Sequence, residues 1–250
     1  MAEKEVALIV GGGPGVSASC ARLFASDGIR VAVAARNPGK SALQELAANP
    51  SIDIFPCDAK DPASVESLFS AVTEGLGSPN LVVHNIDGRS ADIFRKGVNE
   101  ADPELVLDVL QNSAFSAFLV GSAATKSMLG GPAPESGHRG TILFTNANAA
   151  FKGYPKSGAF AMACQAKAGL AESMARELMP QGIHVANIPI DAAIGWTQGD
   201  GTRAHRMAGT TVNDNMADPD RIAETYLHLH RQHRSTWTSE VILRPWVENW

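Results

Sequence analysis

The sequence predicts one three-layer, doubly wound α/β domain built on a parallel sheet of about seven strands. Three observations carry that expectation. Short β-branched runs alternate with longer stretches of helical period along the chain. The first strand run, residues 7–10, is continuously apolar, as needed where helices cover both faces of a sheet. The chain has 250 residues with 44% hydrophobic content, enough for one large buried core.

Taken in order, strands are expected at 6–10, 31–35, 52–56 and 81–84, separated by helices at 18–26, 41–48 and 65–75. The second half continues with a long helix at 104–129, a strand at 141–145, a helix at 160–178 and a strand at 184–190. A last helix at 220–230 precedes a final strand at 240–243. No internal repeat appears, so residues 1–250 read as one domain. Two segments break the rhythm. Residues 130–140 are rich in Gly and Pro and read as a surface loop. Residues 192–216, rich in Gly, Thr, Asn and Asp, follow a strand where an open α/β sheet places its ligand and read as a lid over a small-molecule substrate.

Composition narrows the function classes. The net charge is −5 and the basic residues are scattered, which argues against nucleic acid. Cys20, Cys57 and Cys164 are too few and too far apart for a disulfide framework or a zinc knuckle. No apolar run looks long enough for a bilayer and no leader pattern precedes the first strand, so no membrane is expected and the location reads as cytoplasmic. His228, His230 and His233 read as a solvated helical face rather than a metal site, and no metal is expected.

The first strand opens into Val10-Gly11-Gly12-Gly13-Pro14-Gly15-Val16-Ser17 and then a helix. Glycines here let a backbone approach a pyrophosphate, whose charge sits against the helix N-terminus. Gly11, Gly13, Pro14, Gly15 and Val16 are the expected contacts of a nicotinamide dinucleotide. The second strand ends Ala34-Ala35-Arg36, with no carboxylate for a ribose 2′-OH but a guanidinium for a 2′-phosphate, which favours NADP(H).

This arrangement resembles the short-chain dehydrogenase/reductase superfamily, a Rossmann fold, over nearly the whole chain. Its Thr-Gly-x-x-x-Gly-x-Gly pattern maps onto residues 10–17, with Val10 for Thr and Ser17 for the last Gly, the latter implying weaker packing there. The resemblance implies that Asp58 and Ala59 contact the adenine, that Asn85 lines the ribose side, and that Ile194 and Thr197 hold the carboxamide. Asp87 stands where relatives carry a Gly, either as a turn residue or to meet a cationic substrate. Homodimers or homotetramers through the long helices are implied as well.

The catalytic half departs from the family. Lys167 matches the Lys that binds the nicotinamide ribose and tunes a Tyr one helical turn before it. That position is Ala163, and the family's Ser falls on Ala147. The family's helix Asn falls on Asn112 or Ser113. Asn148, flanking Ala147 as Asn146 does, could bond a substrate oxygen. Tyr154, His84, Asp191 or Lys167 acting through water remain as proton donors. These losses lead to an NADP(H)-dependent short-chain reductase with a non-standard proton path, acting on a C=N or activated C=C or C=O bond. Alternatives are a non-redox lyase or isomerase on the same scaffold, and a catalytically silent nucleotide-binding subunit.

Overall fold

The computed structural model describes residues 5–197, 203–205, 209–211 and 215–248. Strands β1 (Val6–Val10), β2 (Arg30–Ala35), β3 (Ile52–Pro56), β4 (Leu81–His84), β5 (Gly140–Ala147) and β6 (Ile183–Ile190) form a six-stranded sheet in the order β3-β2-β1-β4-β5-β6. Every pairing is parallel. The helices are α1 (Val16–Ser26), α2 (Ser41–Ala47), α3 (Pro62–Gly75), α4 (Pro103–Leu110), α5 (Ser116–Leu129), α6 (Gly158–Leu178) and α7 (Pro219–Arg231).

The strand period of two divides the core into two slabs. Val6, Leu8 and Val10 of β1 pack with Val65 and Leu68 of α3, Ala117 and Val120 of α5, and Ala171 of α6. Ala7 and Ile9 point the other way, onto Phe24 of α1, Leu43 of α2 and Tyr226 of α7. Helix starts are set by chain chemistry: Asp61, Asp102 and Asp218 each cap α3, α4 and α7 with a carboxylate, followed at once by a proline.

The expected seventh strand is present only as two isolated parallel bridges, Asn187 to Glu240 and Ile190 to Leu243. Pro189 explains the break. Along β6, Asn187 N donates to Ser239 O, Val241 N to Asn187 O, Leu243 N to Pro189 O and Asp191 N to Leu243 O. The donor missing from that alternation is the N–H that proline lacks.

The long second-half helix contains a π-helical turn, Gln111–Phe115, between α4 and α5. Contrary to expectation, Pro103–Leu129 is long and apolar enough by length and composition to cross a membrane. The reason is that both its sides are apolar: Val120, Ala124 and Met128 are buried against the sheet, while Leu107, Phe115 and Phe118 are exposed. The histidine reading also needs correction. His228 and His233 are exposed, but His230 is buried, its ring bonded to Thr141 Oγ1 (2.9 Å) and Glu5 Oε1 (3.2 Å). Residues 130–139 form an irregular loop, exposed over 130–136 and partly buried over 137–139. The described parts of 192–216 include β7 (Trp196–Thr197), β8 (Arg203–His205) and β9 (Gly209–Thr211), a small antiparallel sheet.

Candidate active site

The main crevice lies at the C-terminal ends of the strands, across the β1–β4 boundary where the winding of the sheet reverses. Two adjoining cavities share Asn85, Ile86, Asp87 and Arg89. The first, about 370 Å³, is walled by residues 13–17, Ser113, Thr145, Ala147, Cys164, Lys167 and Ile194. The second, about 430 Å³, is walled by Gly11, Ala35, Arg36, Lys40, Asp58, Ala59, Lys60 and Asn112.

The glycine turn divides its labour. Gly11 has φ +106°, and a Cβ there would stand 2.3 Å from Asn85 O. A Cβ on Gly12 would meet Val33 Cγ1 at 2.9 Å. These two glycines press the exit of β1 against its neighbours. A Cβ on Gly13 or Gly15 would meet nothing within 4 Å, so these face open space. Gly15 precedes α1 without a side-chain cap, so the first-turn N–H groups of that helix end at the cavity. Ser17, expected to loosen the turn, ties it instead. Its buried hydroxyl donates to Gly11 O (2.7 Å) and accepts from Asn85 Nδ2 (2.7 Å).

Lys167 is 2% exposed, with Nζ donating to Ile86 O (2.9 Å) and Thr145 O (3.2 Å). An ammonium has three hydrogens, so one remains for the cavity. Burial brings this lysine down to about 8. Cys164, one helical turn away, also lines the cavity, and burial pushes its thiol up to about 11. Between Asn112 and Ser113, the structure turns Ser113 into the Lys167 cavity, while Asn112 lines the neighbouring one and donates to Asp108 O (2.9 Å). Ser113 Oγ is buried and has no hydrogen-bond partner among the described residues. The π-helical turn sets this register, and Gly88 (φ +84°) passes so close that a Cβ would stand 2.9 Å from Ser113 Cβ.

Four residues read as possible polar catalytic groups lie off this cavity. Asp191 is fully buried and accepts from Asn148 Nδ2 (2.9 Å), Lys152 Nζ (2.7 Å) and Arg244 Nε (3.3 Å). Burial raises its carboxyl, but these donors outweigh burial and hold it below the usual range. Asn148 is occupied by Asp191 and by Tyr154 (3.3 Å), and Tyr154 is half-exposed at another cavity. His84 is wholly buried beneath the site. Ser116 donates to Asn112 O (2.5 Å) and so accepts from His84 Nε2 (2.8 Å). Burial holds His84 well below its ordinary value. Asn146, by contrast, lines the Lys167 cavity, but its amide nitrogen is spent on Cys164 O (2.9 Å) and Asn187 Oδ1 (3.0 Å).

Ala147 lines the Lys167 cavity, whereas Ala163 is sealed under Ile93 and Val109. Arg36 is exposed at the end of β2 beside Lys40, and Lys60 Nζ meets Asp108 Oδ1 (2.7 Å) across the same cavity. Asp58 Oδ1 accepts from Lys60 N (3.3 Å). Ile194 bridges Ala217; the backbone of Thr197 lies in β7, and its side chain is outside the described residues. Among the described residues no cluster suited to a metal ion occurs.

Sequence reasoning missed Gly12, Cys164 and the Arg89–Phe160 pair. Arg89 chelates Asp87 through Nε and Nη2 (both 2.6 Å), and its guanidinium lies 3.7 Å from the Phe160 ring centre. Asp87 is thereby a partner for a protein cation, and no short-range pattern announces a contact spanning 71 positions.

Residues 12–244 match the family model described as enoyl-(acyl carrier protein) reductase. The chain is 29% identical over 197 residues to 3-oxoacyl-(acyl-carrier-protein) reductase MabA of Mycobacterium tuberculosis, covering 79% of this chain and 71% of the relative. It is 25% identical over 238 residues to (+)-cis,trans-nepetalactol synthase of Nepeta racemosa, covering 91% and 84%. It is 26% identical over 185 residues to short chain aldehyde dehydrogenase 1 of Euphorbia lathyris, covering 73% of this chain but only 62% of that relative's length. Among solved structures, a short-chain dehydrogenase from Rhodopseudomonas palustris superposes with a TM-score of 0.76 at 26% identity, covering 98% and 100%. An actinorhodin polyketide ketoreductase solved with NADPH gives 0.80 at 22% identity over all of both chains, a likeness of fold.

Proposed function

The chain belongs to the short-chain dehydrogenase/reductase superfamily, through its enoyl-(acyl carrier protein) reductase family, and from that membership we propose an NADP(H)-dependent reductase with a non-standard proton path. The observation that carries this reading is Lys167, a buried ammonium held by Ile86 O and Thr145 O opposite the open cradle at Gly13 and Gly15. A dinucleotide fits these residues: the cradle and the uncapped α1 terminus suit a pyrophosphate, and Arg36 with Lys40 suits a 2′-phosphate. Asp58, Ala59 and Asn85 would line its adenosine half, and Lys167, Ile194 and Thr197 its nicotinamide half.

The bound nicotinamide would supply a hydride to an electrophilic carbon. The chain's own task is to hold that carbon in place and protonate the partner atom. Lys167 brings an acid near neutrality to the cavity and keeps one hydrogen unspent. Ser113 Oγ, without a partner among the described residues, is positioned to accept from or donate to the substrate. With Ala at 147 and 163, the strongly basic alkoxide of a simple ketone is poorly served, whereas an iminium or conjugated acceptor asks less of the acid.

Stopped-flow oxidation of NADPH against ketone, enone and imine panels tests the reading. Turnover favouring the imine or enone panel is expected; micromolar NADPH binding without hydride transfer to any panel would overturn it. Arg36→Ala is expected to reduce the preference for NADPH over NADH about tenfold without changing the circular dichroism spectrum. A relative named as a synthase rather than a reductase, matched over 91% of the chain, is the ground for one second reading, a non-redox lyase or isomerase on the same scaffold. Product formation with no change in reduced-nicotinamide absorbance would select it. The exposed Phe115 and Phe118, their rings 6.4 Å apart, supply an apolar face for a second copy, as a homodimer or homotetramer would require.

A further inference from the structure

A third cavity of about 640 Å³, within the size range of small-molecule sites, adjoins the Lys167 cavity behind the Arg89–Phe160 stack. Its floor is apolar, with Ile93 and Phe160 buried and Phe94 and Val106 partly so. Its rim is cationic: Arg95, Lys96 and Lys156 are exposed, and among the described residues no Asp or Glu lines it. None of these three cations forms an ion pair among the described residues, although the chain as a whole carries net charge −5. Arg89 cannot add its charge freely, because Asp87 already chelates it.

The backbone agrees with the charge. Among the described residues, Arg95 (φ +58°) and Lys156 (φ +59°) are the non-glycine residues with left-handed φ, and both belong to this rim. Such a conformation is costly for any residue with a Cβ, and it persists where surrounding structure imposes it. The two turns come from segments 61 positions apart, yet they present cations at one opening.

We propose that this cavity receives the apolar body of a carboxylate-bearing substrate, with the carboxylate held at the Arg95, Lys96 and Lys156 rim. The chemistry is that of a fatty or aryl-alkyl acid: a chain or ring on Ile93 and Phe160, an anion among three cations. The reducible end would reach the Lys167 cavity past the Arg89–Phe160 stack. This assignment rests on the reductase reading for the reaction, but binding itself does not require cofactor or turnover.

Isothermal titration calorimetry of the whole chain without nucleotide, using decanoate, decan-1-ol and decylamine, tests it. Decanoate should bind about tenfold or more tighter than decan-1-ol, and decylamine more weakly than either. Arg95→Gln/Lys96→Gln/Lys156→Gln should bring the acid and the alcohol to equal affinity. Met162→Glu, at an exposed wall position, should weaken decanoate while leaving NADPH affinity unchanged. Equal binding of acid and alcohol by the unsubstituted protein, or an acid preference that survives the triple substitution, would overturn the proposal. Failure of NADPH oxidation with every panel would overturn the reductase reading alone, since these heats are measured without it.

Discussion

The Lys167 cavity and the cavity behind Phe160 are separated by one stacked pair, yet they are built in opposite ways. The first is shaped by backbone: two glycines wedged against neighbouring strands, two facing open space, a helix terminus, and carbonyls that hold one ammonium. The second is shaped by side chains from residues 89–106 and 154–162, apolar below and cationic above. The difference teaches where tolerance lies. A backbone-built site is disturbed by one misplaced Cβ, whereas a side-chain-built site can change its ligand while the fold stays intact.

The largest effect that would sharpen this contrast is expected from Lys167→Met. Lys167→Met relieves a desolvated ammonium but also gives up its hydrogen bonds to Ile86 O and Thr145 O, so the two effects on stability oppose each other and the large loss is expected in chemistry. NADPH turnover should fall by about 10²- to 10⁴-fold, measured in single-turnover experiments. Retained turnover would break the contrast, because the first cavity would then work without its one buried charge.

Next in size is Gly11→Ala, which forces a Cβ to 2.3 Å from Asn85 O at φ +106°. About 2–4 kcal/mol of stability should be lost, read as a lower urea midpoint. Gly13→Ala, where a Cβ meets nothing, should leave the midpoint nearly unchanged and weaken NADPH binding instead. Equal destabilisation by both would mean that the two pairs of glycines are not distinct.

Acid probes whether disturbance elsewhere spares the site. At the opposite end of the sheet, His138 packs on His230 and Trp237, and burial holds it down at about 4. The hydrogen bond from His230, opposed by burial and aided by Arg231, takes Glu5 down to about 2. The unfolded chain binds a proton at His138 below about pH 6.5 that the folded protein refuses until about pH 4. Stability should therefore fall as pH falls through that window, and fall further below pH 4.5 as Glu5 loses its advantage. A urea midpoint constant from pH 7 to pH 4 would contradict this.

The smallest effect is expected from Ser17→Gly, which restores the family's residue but removes hydrogen bonds to Gly11 O and from Asn85 Nδ2. A loss of about 1–3 kcal/mol should follow, by thermal unfolding. A gain would show that the serine is a tolerated departure rather than a tie.

Much of the fold and half of the site were legible in the sequence. Strand and helix periods are local, so residues 6–10, 52–56 and 81–84 announce strands by composition alone. The glycine turn and Arg36 follow the first and second strands at short range, and Lys167 stands in a helical motif. Other features are not local. Pro189 interrupts a ladder only because residues 239–243 lie beside it. His230 reads as a surface histidine until Thr141 and Glu5 are folded onto it. Asp191 reads as an available carboxylate until Asn148, Lys152 and Arg244 converge on it.

By itself, then, the sequence determined the doubly wound α/β architecture, the cradle at the first turn and the lysine opposite it, because each is encoded by neighbours in the chain. Tertiary structure decided which of Asn112 and Ser113 faces the lysine, which carboxylates are spent in ion pairs, and that Arg89 on Phe160 divides two cavities. Those outcomes depend on atoms brought within about 4 Å from segments far apart in sequence, and contact at that range is created only by the packed fold.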